Sequence, residues 1–376
     1  MTLRHHLACN SSVKGTDMTH LTYLEAAVVG LIQGVSELFP VSSLGHNVLI
    51  PALIGGQWAA DLDVAKPESP YLAFIVGLHV ATAIALLVYF WRDWVRIARG
   101  FLSSLRERRV ETADQRLAWM IVLATIPVGL VGLVAEHPFR LIFGKPVVAG
   151  AFLAVNGVIL IAGERFRSRA SLDADARIAA GRRLEPVAVG ERVAPAAAAV
   201  GPGLAAYAPA VAASPVTAPS AGAPSAGAPS AGAPSAGAPP AEVMADRRLS
   251  AMGYGRAIVI GSAQIVALFA GISRDGVTMV TGMRRGLARE DAARFAFLLS
   301  TPVILAAGVL KIPDLFGPLG SGIRGQILLG SVLSGLGAYA AVRFLVRYLR
   351  TRSLVPFGIY CLVAGLASVV YLSLAG

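Results

Sequence analysis

Two apolar stretches of this chain are broken in the middle by polar and turn-forming residues, and this constrains its fold more than any other feature. Residues 30–50 read GLIQGVSELFPVSSLGHNVLI, long enough to span a bilayer yet carrying Gln33, Glu37, Ser42, Ser43 and His46, with Pro40 and Gly45 near the centre. An ionisable side chain at the centre of a membrane helix costs roughly 2.5–3.5 kcal/mol on insertion scales. A carboxylate and an imidazole beside broken backbone therefore point to a polar site inside a membrane. Irregular backbone survives at that depth only where protein or a wet cavity surrounds it.

The rest of the sequence supplies that surrounding. Continuous apolar stretches lie near residues 71–91, 117–135, 147–164, 292–311, 325–346 and 354–374, each close to the ~20 residues a helix needs to cross the hydrocarbon core. The two interrupted stretches, 22–50 and 255–283, read as re-entrant helix hairpins. With 55% hydrophobic and 15% charged residues, the composition is that of a multi-span membrane protein. The net charge of +11 does not indicate nucleic acid, because the basic residues cluster beside the spans. Arg92, Arg96, Arg99, Arg106, Arg108, Arg109 and Arg116 follow the first span; Arg165, Arg167, Arg169, Arg284, Arg285, Arg289, Arg343, Arg347, Arg350 and Arg352 fall on the same side. The positive-inside rule makes that side cytoplasmic and places both termini and the 51–70 loop outside.

Residues 1–21 read as a tail without the apolar core of a signal peptide, and Met18 as an alternative start of translation. Cys9 and Cys361 form neither a disulfide framework nor a metal spacing. Residues 166–250 are rich in Ala, Pro, Gly and Ser, with a tandem SAGAP pentamer from about Ser220 to Pro239. Such a tract buries too little apolar surface to offset its ordering entropy, so it reads as a disordered, inert cytoplasmic linker.

An internal repeat brackets that linker. Gly30-x-x-Gln33 with Phe39 and Ser42-Ser43 lines up with Gly261-x-x-Gln264, Phe269 and Ser273-Arg274, so that Pro40 falls on Gly271, Ser42 on Ser273 and Ser43 on Arg274. Each half, 22–165 and 251–376, is then one hairpin followed by three spans. Three is odd, so the second hairpin enters from the opposite face. The expected fold is an all-α integral membrane protein of two inverted-topology repeats, whose broken helices meet near the midplane.

Gln33 and Glu37 are four residues apart, on one face of a helix that Pro40 stops. The Val41–Gly45 turn exposes hydroxyls and N–H groups that can cradle an anion, and His46 can exchange a proton near neutral pH. The second turn, GISRDGVT, offers Ser273, Thr278 and Arg274, the side-chain type best suited to phosphate oxygens. One hairpin thus carries acid–base groups and the other an anion clamp, which suggests a phosphate ester or anhydride reacting within the membrane. Taken singly, Gln33 could equally serve as an interhelical hydrogen bond. His79, mid-span in LHVATA, reads as a packing residue against the other half, with contact to the site as the lesser alternative.

GLIQGVSELFPVSSLGH matches the [E/Q]-x-x-x-E and P-V-S-S-x-G-H patterns, and AGISRDGVT is similar to the P-G-x-S-R-S-x-x-T motif, of the bacitracin-resistance type undecaprenyl-diphosphatases. The resemblance extends over both halves and omits the tail and residues 166–250. Ala270 stands where the family has Pro, and Asp275 where it has its second Ser. An Asp275 carboxylate beside Arg274 is expected to pair with it and weaken its hold on phosphate. The resemblance implies hydrolysis of undecaprenyl diphosphate to the monophosphate and inorganic phosphate. This would recycle the lipid carrier of cell-wall synthesis and confer bacitracin resistance, at a site on the outer side of a bacterial cytoplasmic (inner) membrane.

Carried over by position, Glu37, Ser43, His46 and Arg274 are the expected catalytic residues, and Gln33, Ser42, Ser273 and Thr278 the substrate-binding ones. Glu37 is also the expected ligand of a divalent cation, Mg²⁺ or Ca²⁺, which a single carboxylate would leave held mainly by substrate oxygens. The expected partners are the polyprenyl diphosphate and membrane lipids. A homo-oligomer is compatible with the sequence, and no residue pattern decides for one. The nucleophile is Ser43 or an activated water. The rival readings are a polyprenyl-phosphate transporter, which the same repeat architecture serves, and a non-catalytic lipid-phosphate binding protein.

Overall fold

The computed structural model describes residues 21–62, 70–143, 145–184, 241–317 and 322–375, and among these there is no strand. The first hairpin consists of α1 (Tyr23–Leu38) and α2 (Ser43–Ile54), followed by the short α3 (Gly56–Asp61). α1 starts at a reciprocal cap, in which the Glu25 amide donates to the Thr22 hydroxyl at 3.2 Å and the Thr22 amide to the Glu25 carboxylate at 2.7 Å. The remaining helices of the first repeat are α4 (Pro70–Tyr89), α5 (Trp91–Glu107), α6 (Ala113–Phe143) and α7 (Pro146–Arg165). After α8 (Arg169–Leu184) and α9 (Ala241–Ser250) comes the second hairpin. Its α10 (Tyr254–Ser262) runs on as a 3-10 turn over Ala263–Leu268 and returns as α11 (Arg274–Arg284). α12 (Arg289–Phe316), α13 (Arg324–Tyr348) and α14 (Val355–Ala375) complete the chain.

Five segments among the described residues are long and apolar enough to cross a membrane: Ala113–Val134, Pro146–Arg165, Arg289–Leu310, Arg324–Tyr348 and Val355–Leu374. Two bent pairs raise the number to as many as seven: Phe74–Tyr89 with Trp91–Glu107, bent by 86°, and Val243–Ser250 with Tyr254–Leu268, bent by 100°.

Packing directions reveal the inverted repeat. On α1, Gly30 faces Gly330 and Gly34 faces Ser334 of α13, so the two helices run parallel. A Cβ on Gly30 would lie 2.5 Å from the Gly330 carbonyl oxygen, so only small residues permit this crossing. The counterpart crossing sets α10 on α6, with Gly261 against Ala124. Between the halves, α7 and α14 run antiparallel, with Gly150 opposite Gly365 and Gly157 opposite Gly358. α4 packs on α12 and α13. The sequence register of the repeat holds at atomic detail: Ser42 caps α2 by accepting from the Gly45 amide, and Ser273 caps α11 by accepting from the Gly276 amide, each at 3.2 Å.

Two segments differ from the sequence reading. The arginine-rich connection after the first span is a helix, α5, turned sharply from α4 at Phe90. It buries Asp93, Ile97, Gly100 and Ser104 and packs on α6, so it has an inner face that a count of charges does not reveal. The ends of the expected linker are also ordered helix. α8 is tied through Asp175, which accepts from the Arg289 amide at 2.9 Å and pairs with Arg167 at 2.7 Å. In α9, Asp246 pairs with Arg96 at 2.6 Å and with Arg294 at 2.8 Å, and Arg248 pairs with Asp291 at 2.7 Å. Together α8 and α9 carry Arg, Asp and Glu and no Pro, unlike the SAGAP repeats between them, and these charges anchor them. The centre of that tract, 185–240, and the expected tail, 1–20, lie outside the described residues.

Candidate active site

The tips of the two hairpins meet. The Ser42 hydroxyl oxygen accepts from the amide of Gly45 and, across the interface, from that of Gly271, each at 3.2 Å. Asn156 of α7 bridges the same junction. Its Nδ2 donates to the Pro40 carbonyl, and its Oδ1 accepts from the Ser273 amide, both at 3.0 Å. Ser42 pays for this closure with a left-handed backbone, φ +67°, a conformation L side chains adopt only under constraint. α2 and α11 both begin at this junction, so the N-terminal ends of two helix dipoles converge there, a setting that attracts anions.

Beside the junction lies a buried polar cluster centred on Glu37. Its carboxylate accepts from the Ser43 hydroxyl and from the Arg274 guanidinium in short contacts. It also accepts from Gln33 Nε2 at 2.9 Å. Gln33 in turn accepts from Asn47 Nδ2 at 2.6 Å through its Oε1. Glu37 thus joins a hydroxyl from its own hairpin to a guanidinium from the other repeat. Its side chain is 3% exposed and that of Arg274 20%, so the guanidinium is the more accessible member of the pair.

His46 stands apart from this group. Its Nδ1 lies 2.7 Å from the Ser42 carbonyl oxygen, which can only accept, so Nδ1 carries the hydrogen. Nε2 then takes the Tyr360 hydroxyl at 2.7 Å, and the two rings stack with centroids 5.8 Å apart.

Four of the expected site residues, Gln33, Glu37, Ser43 and Arg274, therefore form one contact cluster. Three others use their hydroxyls on backbone: Ser42 and Ser273 as helix caps, and Thr278 as donor to the Arg274 carbonyl at 2.8 Å. The expected Asp275–Arg274 pair does not form. Asp275 accepts from the Ser300 hydroxyl of α12, while Arg274 reaches Glu37. Adjacent residues on a helix point in different directions, and the first turn of α11 sends one toward α12 and the other toward α1.

His79 takes the lesser of its two expected roles. Rather than simply packing, it brings Nε2 to 3.6 Å from Glu37 and 3.3 Å from Gln33. Asn47, Asn156 and Tyr360 were missed. The signal for Asn156 was a lone amide inside the apolar run LAVNGVIL; nothing local marks Tyr360, which arrives from the last span.

The donor set does not suit a resident metal held by protein alone. Among the described residues, no group of three or more His, Cys, Asp or Glu side chains could hold an ion. Both Glu37 oxygens already accept hydrogen bonds, and Gln33 Oε1 takes the Asn47 amide.

Inverted repeats, crossed hairpins and a row of apolar spans define a polytopic all-α membrane protein, with a carboxylate–arginine pair buried beside two helix N-termini. The family model described as bacitracin resistance protein BacA matches residues 26–185 and 236–367, leaving out only the middle of the low-complexity tract and the chain ends. The chain is 54% identical over 355 residues to an undecaprenyl-diphosphatase of Mycolicibacterium paratuberculosis, covering 94% of this chain and 99% of that one. It is 52% identical over 363 residues to undecaprenyl-diphosphatase 2 of Frankia alni, covering 95% and 100%. Undecaprenyl-diphosphatase 2 of Chromobacterium violaceum is 34% identical over 352 residues, covering 93% and 98%. The chain belongs to the BacA bacitracin resistance family.

Proposed function

We propose that this protein is an undecaprenyl-diphosphate phosphatase, which hydrolyses the lipid diphosphate to undecaprenyl phosphate and inorganic phosphate. This supports cell-wall synthesis and bacitracin resistance. The observation that carries the reading is the Ser43–Glu37–Arg274 cluster, in which a hydroxyl, its proton acceptor and a phosphate clamp are brought together from two repeats.

Arg274 and the amide ends of α2 and α11 bind the diphosphate and stabilise the charge that develops on its oxygens. Ser43 Oγ attacks the terminal phosphorus. The new Oγ–P bond forms as the bridging P–O bond breaks, the lipid monophosphate leaves, and Glu37 takes the hydroxyl proton. Water then attacks the phosphoserine, His46 Nε2 takes its proton once the Tyr360 hydroxyl has released that lone pair, and inorganic phosphate leaves as Ser43 regains a hydrogen from Glu37. Glu37 is the one protein carboxylate that would meet a divalent cation, Mg²⁺ or Ca²⁺, brought in with the substrate, and such an ion would supply charge neutralisation.

The site opens to the outer face of the bacterial inner membrane. In support, the arginine-rich side is closed by two ion-pair networks, Asp93–Arg96–Asp246–Arg294 and Glu164–Arg167–Asp175–Arg289.

The test is phosphate release from undecaprenyl diphosphate by the purified protein, compared with Glu37→Gln, His46→Ala and Arg274→Ala. Loss in all three supports the reading. Binding without release by the unaltered protein would replace it with a transporter or receptor, and full turnover by Ser43→Ala would exclude the covalent step.

A further inference from the structure

His79 is the contact of the cluster that the proposed reaction leaves without a task. It belongs to α4, outside both hairpins, and its Nδ1 lies 2.9 Å from the Ile75 carbonyl oxygen one turn earlier. A carbonyl only accepts, so Nδ1 carries the hydrogen, and in that tautomer Nε2 is the acceptor that faces the cluster. Facing that acceptor is Gln33 Nε2, at 3.3 Å.

The orientation of the Gln33 amide is set independently, because Asn47 Nδ2 donates to its Oε1 at 2.6 Å. Gln33 Nε2 therefore has two hydrogens to place. One goes to Glu37 at 2.9 Å, and the other to His79. Both hydrogens of Gln33 Nε2 thus meet acceptors.

We propose that His79 is a positioning residue, an acceptor that fixes the Gln33 amide and, through it, the Glu37 carboxylate that activates Ser43. The pairing also explains how glutamine serves at position 33. A glutamate there would set a carboxylate against the Nε2 lone pair and remove the donor that steadies Glu37. Without an acceptor at position 79, one hydrogen of the Gln33 amide is left unpaired and the amide keeps only its Asn47 and Glu37 holds. Glu37 then has a less firmly fixed neighbour on the oxygen that receives the Ser43 proton. Misplacing a reacting group by about 1 Å can cost on the order of 100-fold in rate, while ground-state binding through Arg274 and the helix ends is untouched.

The inference rests on the phosphatase reading, and the experiment separates the two. Steady-state phosphate release from undecaprenyl diphosphate is measured for the purified full chain and for His79→Leu, His79→Gln, Gln33→Leu and the double variant His79→Leu/Gln33→Leu. Elution volume and thermal midpoint in detergent are recorded alongside. His79→Leu is expected to lower kcat about tenfold or more with KM within about twofold. His79→Gln, whose side-chain oxygen can accept the same hydrogen, should return to within about threefold of the unaltered protein. The double variant should be no worse than Gln33→Leu alone, because the two residues act as one string.

Unchanged kcat in His79→Leu, equal defects in the Leu and Gln variants, or additive losses in the double variant would each overturn the proposal. A lowered thermal midpoint in His79→Leu that His79→Gln does not restore would also overturn it, by assigning His79 a packing role. Absence of phosphate release from the unaltered protein would instead sink the phosphatase reading itself.

Discussion

At Glu37, three donors from α1, α2 and α11 converge on one buried carboxylate. Replacing it with Gln keeps the shape and removes both the charge and the proton acceptor. Phosphate release should fall about 10²–10³-fold, the usual scale for losing one preorganised electrostatic group at a reacting centre, with the protein still folded. Arg274→Ala leaves Glu37 buried without its cation, an uncompensated charge that typically costs 3–5 kcal/mol. That variant should therefore lose thermal stability as well as turnover, whereas Arg274→Ala combined with Glu37→Gln should recover much of the stability and none of the activity. A melting curve in detergent beside the phosphate assay separates these outcomes. Glu37 and Arg274 were legible because an ionisable residue is improbable at membrane depth, and Ser43 only through the motif in which it stands. His79 and Tyr360 were not legible, because a histidine or tyrosine in an apolar span fits a packing role equally well until its neighbours are known.

Among the helices, the hairpins depend on how closely α1 can approach α13 and on how Asn156 joins their tips. Gly34→Val would drive a branched side chain into the Ser334 backbone. Overpacking of this kind costs about 1–3 kcal/mol or more, and the variant should elute as aggregate or melt early. Gly129→Ala, with nothing near its Cβ position, should behave as the unaltered protein does. Asn156→Leu removes the partner of the Ser273 amide and leaves the Pro40 carbonyl only the Cys361 thiol, at 3.8 Å. Each buried group left unpaired costs about 1–3 kcal/mol, so the junction should loosen and turnover fall, even though Asn156 touches neither Glu37 nor Ser43. The spans were readable from apolar length. α5 was not, because its buried face is set by contact with α6 and its charges alone resemble a solvated loop.

Across the whole molecule, the two repeats are held on the arginine-rich face by the Asp93–Arg96–Asp246–Arg294 network, in which α5, α9 and α12 all take part. Asp246→Ala should leave Arg96 and Arg294 short of a carboxylate and lower stability by about 3 kcal/mol, read as a lower thermal midpoint. The family match resumes at residue 236 and stops at 185, so the intervening tract is outside the shared fold. Replacing residues 186–235 with a flexible Gly/Ser linker should leave phosphate release within about twofold, while a cut extended through α9 should not.

By itself, the sequence determined that the chain is an all-α membrane protein with two broken hairpins. Apolar length, the cost of charge in lipid and the turn-forming residues are local quantities, written in consecutive letters. It also set the register of the repeat, since Ser42 and Ser273 cap equivalent helices through the same local hydrogen bond. Only the tertiary structure decided which partner each polar group takes. Arg274 reaches Glu37 across 237 positions of chain, His46 reaches Tyr360 across 314, and Asp275 turns to Ser300. The physical reason is that a buried polar group must find a partner wherever the fold brings one within about 3 Å, and that choice depends on how the helices cross.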